Sequence, residues 1–159
     1  MALPIASVVA GALIDPTTFG NELVDAINAA PRGRVGYAQV TASQGSIVGL
    51  VDLTGLSVTW TAVAGRRYRI TGEAFMSSTA SGDLGAFAIN TSANAQVQAG
   101  QTVMSVYGSA KITCQAILTG LSGSVTYKLR AARSGGTGTL TMDAAAIYPA
   151  FILVEDIGT

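Results

Sequence analysis

Residues 56–76, LSVTWTAVAGRRYRITGEAFM, decide the fold of this chain. Apolar and polar side chains alternate on both sides of Ala64-Gly65, and such period-2 alternation is typical of β-strands with one face in a core. Gly65 supplies the backbone freedom that a short turn needs. We therefore expect a hairpin at the centre of an antiparallel β-domain. Its core face is predicted to comprise Val58, Trp60, Ala62, Tyr68, Ile70, Gly72, Ala74 and Met76.

The remainder of the chain after Val35 also reads as β-structure. Short strands with turn signals roughly every 8–12 residues favour a sandwich or barrel over a parallel sheet. Residues 110–118 and 124–132 form a second expected hairpin. Residues 78–101 are expected to be a long surface loop with a strand around Phe87–Ile89. The candidate strands are 34–42, 46–53, 56–63, 67–77, 84–91, 102–107, 110–119, 124–133, 138–145 and 148–156.

The first 30 residues have a different character. Residues 1–15 predict an extended apolar arm, and Asp15-Pro16 is a typical helix start. In the predicted helix 16–28, Phe19, Leu23 and Ile27 are spaced at i, i+4 and i+8 and so form one apolar stripe.

A helix of about three turns is marginal alone in water, so this stripe must dock. The partner is either its own β-domain or symmetry copies and other proteins of a larger assembly. Residues 1–33 are thus an expected anchoring or oligomerisation segment, and residues 34–159 the β-domain.

Composition excludes some partners. Charged residues make up 11% of the 159 residues, against about 25% in ordinary soluble domains. A surface so poor in charge suits a protein covered by its own copies or by partners. Nine basic residues balance nine acidic ones, which argues against a nucleic-acid partner. No apolar run approaches the ~20 residues of a membrane span, so no membrane association is expected.

Catalytic and metal-binding residues are not apparent. The chain has no histidine, which removes the commonest general base and metal ligand. Cys114 lies on the same phase as Ile112 and is expected to be a buried apolar residue. A glycosidase needs two carboxylates that face each other across a cleft, and the sequence places no such pair. The carboxylates are therefore expected to be solvated or ion-paired. Gly135-Gly136-Thr137-Gly138 precedes no helix and is expected to be a flexible tip, not a phosphate loop. We expect no enzyme, cofactor or metal.

Two further groups have open interpretations. Arg66, Arg67 and Arg69 are either a solvated strand face or one side of an intersubunit salt bridge. The aromatic residues would form a sugar-binding platform if several were exposed, but Trp60 and Tyr127 lie on core phases, which favours packing. These aromatic residues are Tyr37, Trp60, Tyr68, Tyr107, Tyr127 and Tyr148.

Several runs resemble small structural proteins of tailed bacteriophages that infect actinobacteria. They are LVDLTGLSVTWTAVAGRRYRITGEAF at 50–75, GSVTYKLRAARSGGTGTL at 123–140, YPAFILVEDIG at 148–158 and the helical lead-in GALIDPTTFGNELVDAINAAPRGRVG at 11–36. Such proteins are capsid decoration, minor tail or tail-fibre-like proteins. Their β-domains are similar to trimeric jelly rolls of the tumour-necrosis-factor and complement type.

The resemblance implies a mainly β protein: an antiparallel, jelly-roll-like β-sandwich preceded by an extended arm and one short helix. It implies a non-enzymatic homotrimer on the capsid or tail surface of a virion. The expected role is capsid decoration through the N-terminal arm, with the major capsid protein or tail proteins as partners. The alternative is a minor tail or tail-fibre-like protein that binds a host receptor or surface glycan. The resemblance implies no catalytic residue.

Overall fold

The computed structural model describes the backbone of residues 16–105 and 108–159, and side chains from Gly20 onward within those ranges. The chain divides into two compact units, with the boundary between Ala30 and Pro31. The first unit contains helix α1, Pro16–Ala29, which confirms the predicted short helix. The predicted arm 1–15, with the predicted helix cap Asp15, lies outside the described residues.

The second unit is an antiparallel β-sandwich, as predicted. Ten strands lie within its described residues: β1 Gly33–Val40, β2 Gln44–Ile47, β3 Val51–Ala62, β4 Arg67–Ser78, β5 Leu84–Thr91, β6 Gln96–Val103, β7 Ala110–Leu118, β8 Gly123–Gly135, β9 Leu140–Asp143 and β10 Ala150–Gly158.

The strands form two sheets. Sheet I has six strands in the order β1-β10-β4-β9-β2, with β7 also paired to β4. Because β10 pairs with the first half of β4 and β9 with the second half, β9 and β10 lie end to end. Sheet II has four strands in the order β3-β8-β5-β6. Consecutive strands therefore alternate repeatedly between the sheets, which is typical of a jelly roll.

Both predicted hairpins are wrong in their pairing, although their strands exist. β3 lies in sheet II and pairs with β8, whereas β4 lies in sheet I and pairs with β10, β7 and β9. β7 and β8 are likewise in different sheets. Each four-residue connection, 63–66 or 119–122, crosses from one sheet to the other. The alternation of apolar and polar residues is the same for a hairpin within one sheet and for a connection between two sheets. It reports only which side of each strand is buried.

Within residues 78–101 the predicted strand 84–91 is confirmed as β5, whereas the loop expected over most of β6 is wrong. β5 and most of β6 fall inside that stretch and pair with each other antiparallel. β5 is also hydrogen-bonded to β8 along its other edge. The Gln- and Gly-rich sequence of β6 has little intrinsic strand preference, so its pairing with β5 determines its conformation.

The core lies between the two sheets. All eight residues of the predicted core face are buried, and Cys114 is buried as expected. Trp60 packs between Tyr68 and Tyr127, with ring centroids 5.7 and 5.5 Å apart. The two sheets approach closely at Gly72, because a Cβ there would lie 2.5 Å from a methyl carbon of Leu129.

We predict that Gly72→Val lowers the free energy of unfolding by about 1–3 kcal/mol, because the added methyl groups overpack a filled core. Urea denaturation followed by fluorescence measures the change. Gly49→Ala is the control, because Gly49 has no positive φ and a Cβ added there would meet no atom beyond its chain neighbours within 4 Å. An equal loss in both variants would contradict this account of the sheet contact.

The two ends of the sandwich are formed by different segments of the chain. The basal end carries the start of β1, the β3–β4 connection and the end of β10, since Gly33 pairs with Asp156 and Gly158 with Arg67. The apical end carries the connections 48–50, 79–83 and 136–139. The chain therefore enters the domain at the basal end.

Candidate functional site

The outer face of sheet I carries the aromatic side chains that the core does not use. β4 points Tyr68, Ile70 and Gly72 inward and the alternate residues outward. On the neighbouring strands, Tyr37 of β1 lies opposite Leu153 of β10, and Phe151 lies opposite Glu73 of β4. The outer face of sheet I comprises Tyr37, Arg69, Thr71, Glu73, Phe75, Lys111, Phe151, Leu153 and Glu155, with Tyr148 packed on it.

Ring contacts organise this face into two clusters. The rings of Tyr37 and Phe151 are 6.1 Å apart, and the Tyr37 hydroxyl donates to Gln39 Oε1 at 2.6 Å. The Arg34 guanidinium lies 5.5 Å from the centre of the Tyr37 ring. Tyr148 meets Phe75 edge-on at 5.8 Å. Tyr37 and Tyr148 are both exposed, so these rings are available to a partner.

The outer face of sheet II is different. It carries small hydroxyl residues, such as Thr59 and Thr126, whose Oγ1 atoms are 2.7 Å apart. Lys128 and Arg130 both contact Asp52 there. Among the described residues this face has no aromatic side chain, because Trp60, Phe87 and Tyr127 point into the core. The sandwich therefore offers one aromatic face and one polar face.

Two ion pairs lie on the aromatic face. Arg69 Nη2 lies 2.8 Å from Glu155 Oε2, and Lys111 Nζ lies 2.8 Å from Glu73 Oε2. Both pairs join neighbouring strands and are partly exposed. Arg69 thus has an acidic partner in its own chain and needs none from another subunit.

Arg66 contradicts the expectation of a solvated arginine cluster. Its side chain and that of Asp156 are each only 2% exposed, and Arg66 donates from Nε and, at 2.8 Å, from Nη2 to the carboxylate. Burial alone would raise the pKa of Asp156. Hydrogen bonds from Arg66 and from the Gly158 N–H outweigh that effect and hold the pKa below its usual value. The pair locks the end of β10 to the β3–β4 connection.

A signal for this pair exists in the sequence. Arg66 precedes Tyr68 and Ile70 on the core phase of β4, and Asp156 follows Ile152 and Val154 on the core phase of β10. Two opposite charges on core phases indicate a buried ion pair, since unpaired buried charges are strongly unfavourable.

Asp83 is the second buried charge that the sequence interpretation missed. It is 1% exposed and accepts hydrogen bonds from Ser78 Oγ, from Thr137 N–H at 2.9 Å and from Gly138 N–H at 3.0 Å. The Ser78 hydrogen bond, with those from the backbone, lowers the pKa of Asp83 despite its burial. We call this group of contacts the apical latch, because it joins connection 79–83 to connection 136–139. The glycine-rich run is therefore pinned by Asp83, contrary to the expected flexible tip.

Every carboxylate of Pro31–Thr159 already has a partner. Asp52 contacts Lys128 and Arg130, and the Lys128 hydrogen bond is the main cause of its lowered pKa. Asp143 accepts from Ser109 Oγ at 2.6 Å, and the other four are described above. Asp52 and Glu73 lie on opposite outer faces, so they cannot act as a glycosidase pair.

The described residues contain no cluster of metal-ligating side chains and no helix able to cross a membrane.

The predicted anchoring residues lie on α1. Leu23 is 51% exposed and Ile27 is 63% exposed, so the apolar stripe is not buried at these two positions. The backbone of Phe19 is helical, but its side chain lies outside the described residues. The role of Phe19, Leu23 and Ile27 in anchoring or oligomer contacts stays a prediction.

The chain is similar in structure to several solved proteins. No protein-family description and no curated protein sequence matches the chain. The crystal structure of murine APRIL superposes with a TM-score of 0.50 at 9% identity, covering 79% of this chain and 99% of APRIL. That likeness shows a shared fold.

Two viral structures are more distant. The tripod from the baseplate of bacteriophage Tuc2009 gives a TM-score of 0.43 at 12% identity, covering 100% of this chain and 77% of that one. A chain of T=1 particles derived from infectious bursal virus gives 0.44 at 15% identity, covering 80% and 37%.

Proposed function

We propose that this chain is a non-enzymatic structural protein of a tailed-phage virion that assembles as a homotrimer. The observation that carries the proposal is the aromatic outer face of sheet I, where Tyr37 and Tyr148 are exposed. Arg69 and Lys111 on this face are paired with acidic side chains of the same chain. Such a face favours association with a protein surface. The partnered carboxylates and the phage-like sequence runs support the same assignment.

The oligomer is tested on the full chain by size-exclusion chromatography with light scattering. The proposal expects three times the chain mass across a wide range of concentrations. A mass of one chain at the highest concentrations would overturn the homotrimer.

Attachment is proposed to run through the N-terminal arm and α1 to the major capsid protein, as in capsid decoration. The position of β1 supports this, because β1 begins at the basal end of the sandwich. The apical end, where the latch joins two connections, lies at the opposite end of the sandwich. In this arrangement residues 1–30 contact the particle and the β-domain remains accessible.

We predict that deleting residues 1–30 abolishes binding to particles that lack this protein. The β-domain should keep its fold, since Pro31–Thr159 is a compact unit with its own core. Co-sedimentation measures binding, and circular dichroism confirms folding. Leu23→Asp with Ile27→Asp in the full chain tests the helical stripe separately. Full binding by the folded deletion variant would overturn attachment through this segment.

A second function is favoured by the exposure of Tyr37 and Tyr148, whose rings can stack on sugars. In that case the chain is a minor tail or tail-fibre-like protein that binds a host surface glycan. A glycan array separates the two functions, because decoration predicts no binding there. The same host polysaccharide, incubated with the protein, should yield no new reducing ends, whereas their appearance would overturn the non-enzymatic assignment.

A further inference from the structure

The connection between β9 and β10 forms a short turn that is closed by backbone hydrogen bonds. Ala145 and Tyr148 exchange two backbone hydrogen bonds, of 3.3 and 3.1 Å, which leaves Ala146 and Ile147 at the tip. Tyr148 is held against Phe75 on the outer face. At the base of the turn, Ala144 donates its N–H to Ser43 Oγ at 3.0 Å and accepts from it at 3.3 Å. The turn is therefore fixed on two sides.

Ile147 at the tip is 90% exposed, more than any other large apolar side chain among the described residues. Turn tips normally carry Gly, Asn, Asp, Ser or Pro, which suit the backbone and the solvent. A β-branched apolar residue satisfies neither requirement. The side chain contributes nothing to the core, so the fold alone does not explain an isoleucine at this position.

The same chain carries a surface suited to receive that side chain. Tyr37, Phe151 and Leu153 form an apolar patch on the outer face of sheet I, and we call it the β1–β10 patch. Leu153 lies directly opposite Tyr37 in the register, and the Tyr37 ring contacts Phe151. The hydrogen bond from Tyr37 to Gln39 fixes the ring. The neighbouring charges of Arg69 and Glu155 pair with each other, and the Arg34 guanidinium lies 5.5 Å from the centre of the Tyr37 ring.

We propose that Ile147 of one copy inserts into the β1–β10 patch of the next copy. The partner is a second copy because one chain presents both the projecting side chain and the receiving patch. A contact between two different patches of identical chains is heterologous, and it closes into a ring when the rotation permits. This inference rests on the proposed homotrimer and identifies the contact that would hold it together.

The first experiment measures self-association of Ile147→Ser and Ile147→Asp in the full chain by sedimentation equilibrium. Loss of the inserted side chain should weaken association at least tenfold for serine and more for aspartate. The control is Val103→Ser, because Val103 is 63% exposed on β6 of sheet II and should leave association unchanged. Measured on chains diluted until they are monomeric, the urea midpoints of all three variants should be unchanged, since none of these side chains lies in the core.

The second experiment places a photoreactive phenylalanine analogue at position 147. Unlabelled chains are mixed with isotope-labelled chains before crosslinking. The proposal expects mixed-isotope crosslinks to peptides that contain Tyr37, Phe151 or Leu153. A chain that stays monomeric overturns both the homotrimer and this contact. A trimer that is unaffected by Ile147→Asp, with crosslinks elsewhere or only within one chain, overturns this contact and leaves the proposed function intact.

Discussion

Replacing Asp156 by alanine is expected to lower the free energy of unfolding by about 3–5 kcal/mol, the usual cost of breaking a buried ion pair. Arg66, only 2% exposed, would keep its charge without the carboxylate that it contacts. The Gly158 N–H would also lose its acceptor, which now lies 3.0 Å away. Urea denaturation followed by the fluorescence of Trp60, the single tryptophan, measures the loss.

The adjacent residue supplies a matched control. Glu155 lies next to Asp156 on β10 but faces outward, where it pairs with Arg69 at side-chain exposures of 26% and 41%. Glu155→Ala should therefore cost less than about 1 kcal/mol, as exposed ion pairs do. The double variant Arg66→Met with Asp156→Leu should recover much of the loss, since it leaves no unpaired charge. Equal losses in Glu155→Ala and Asp156→Ala would show that burial of the pair is not the cause.

The pH dependence follows from the same carboxylate. The pKa of Asp156 is lowered in the folded state, so its contribution is present above the unfolded pKa of about 3.9. The contribution is lost as the pH falls through the lower folded pKa. The free energy of unfolding should be nearly constant between about pH 7 and pH 5 and should fall below about pH 4. Asp156→Ala should show a shallower fall, although Asp52 and Asp83 continue to contribute.

The sequence predicts the faces of the strands well and their partners poorly. Alternation through Trp60 and Tyr68 correctly places both side chains in the core. It cannot distinguish a hairpin from a crossing between sheets, because both leave one side of each strand buried. The choice depends on contacts between distant strands, such as β3 with β8 and β4 with β10. Those contacts join residues about 60 to 90 positions apart in the sequence and leave no local pattern.

The candidate site is only partly legible for a similar reason. The outward phase of Phe75, Phe151 and Leu153 can be read from the sequence, and so can the core phase of Arg66. The aromatic face becomes visible only when β1, β10 and β4 are placed side by side. The contact of Tyr148 with Phe75 depends on the turn between β9 and β10, which the predicted strands 138–145 and 148–156 reduce to two residues. Asp83 reads as an ordinary turn residue until its partners 54 and 55 positions later are known.

The apical latch should be the other most sensitive point of the domain. Asp83→Ala removes the acceptor for Ser78 Oγ and for the N–H groups of Thr137 and Gly138. Buried donors without an acceptor are strongly unfavourable, so a large decrease in the thermal midpoint is expected. Asp143→Ala, which removes only an exposed hydrogen bond with Ser109, is the control and should change the midpoint little.

Hydrogen exchange locates the effect of Asp83→Ala. The amides of Thr137 and Gly138 should lose protection, whereas those in the paired centres of β3 and β8 should keep it at temperatures well below the midpoint. Uniform loss across the domain would indicate that Asp83 supports the whole core and does not act as a local latch.

A double-mutant cycle with Gly136 tests the fit of the latch itself. Gly136 has φ +94°, and a Cβ there would collide with Asp83 Oδ1. Gly136→Ala should therefore be destabilising in the natural chain, both by backbone strain and by collision with the carboxylate. In the Asp83→Ala background only the backbone strain and the contact with the Cα atom of residue 83 remain. The same substitution should therefore cost less. Residues in direct contact give such non-additive effects, whereas additive losses would mean that Gly136 and Asp83 act independently.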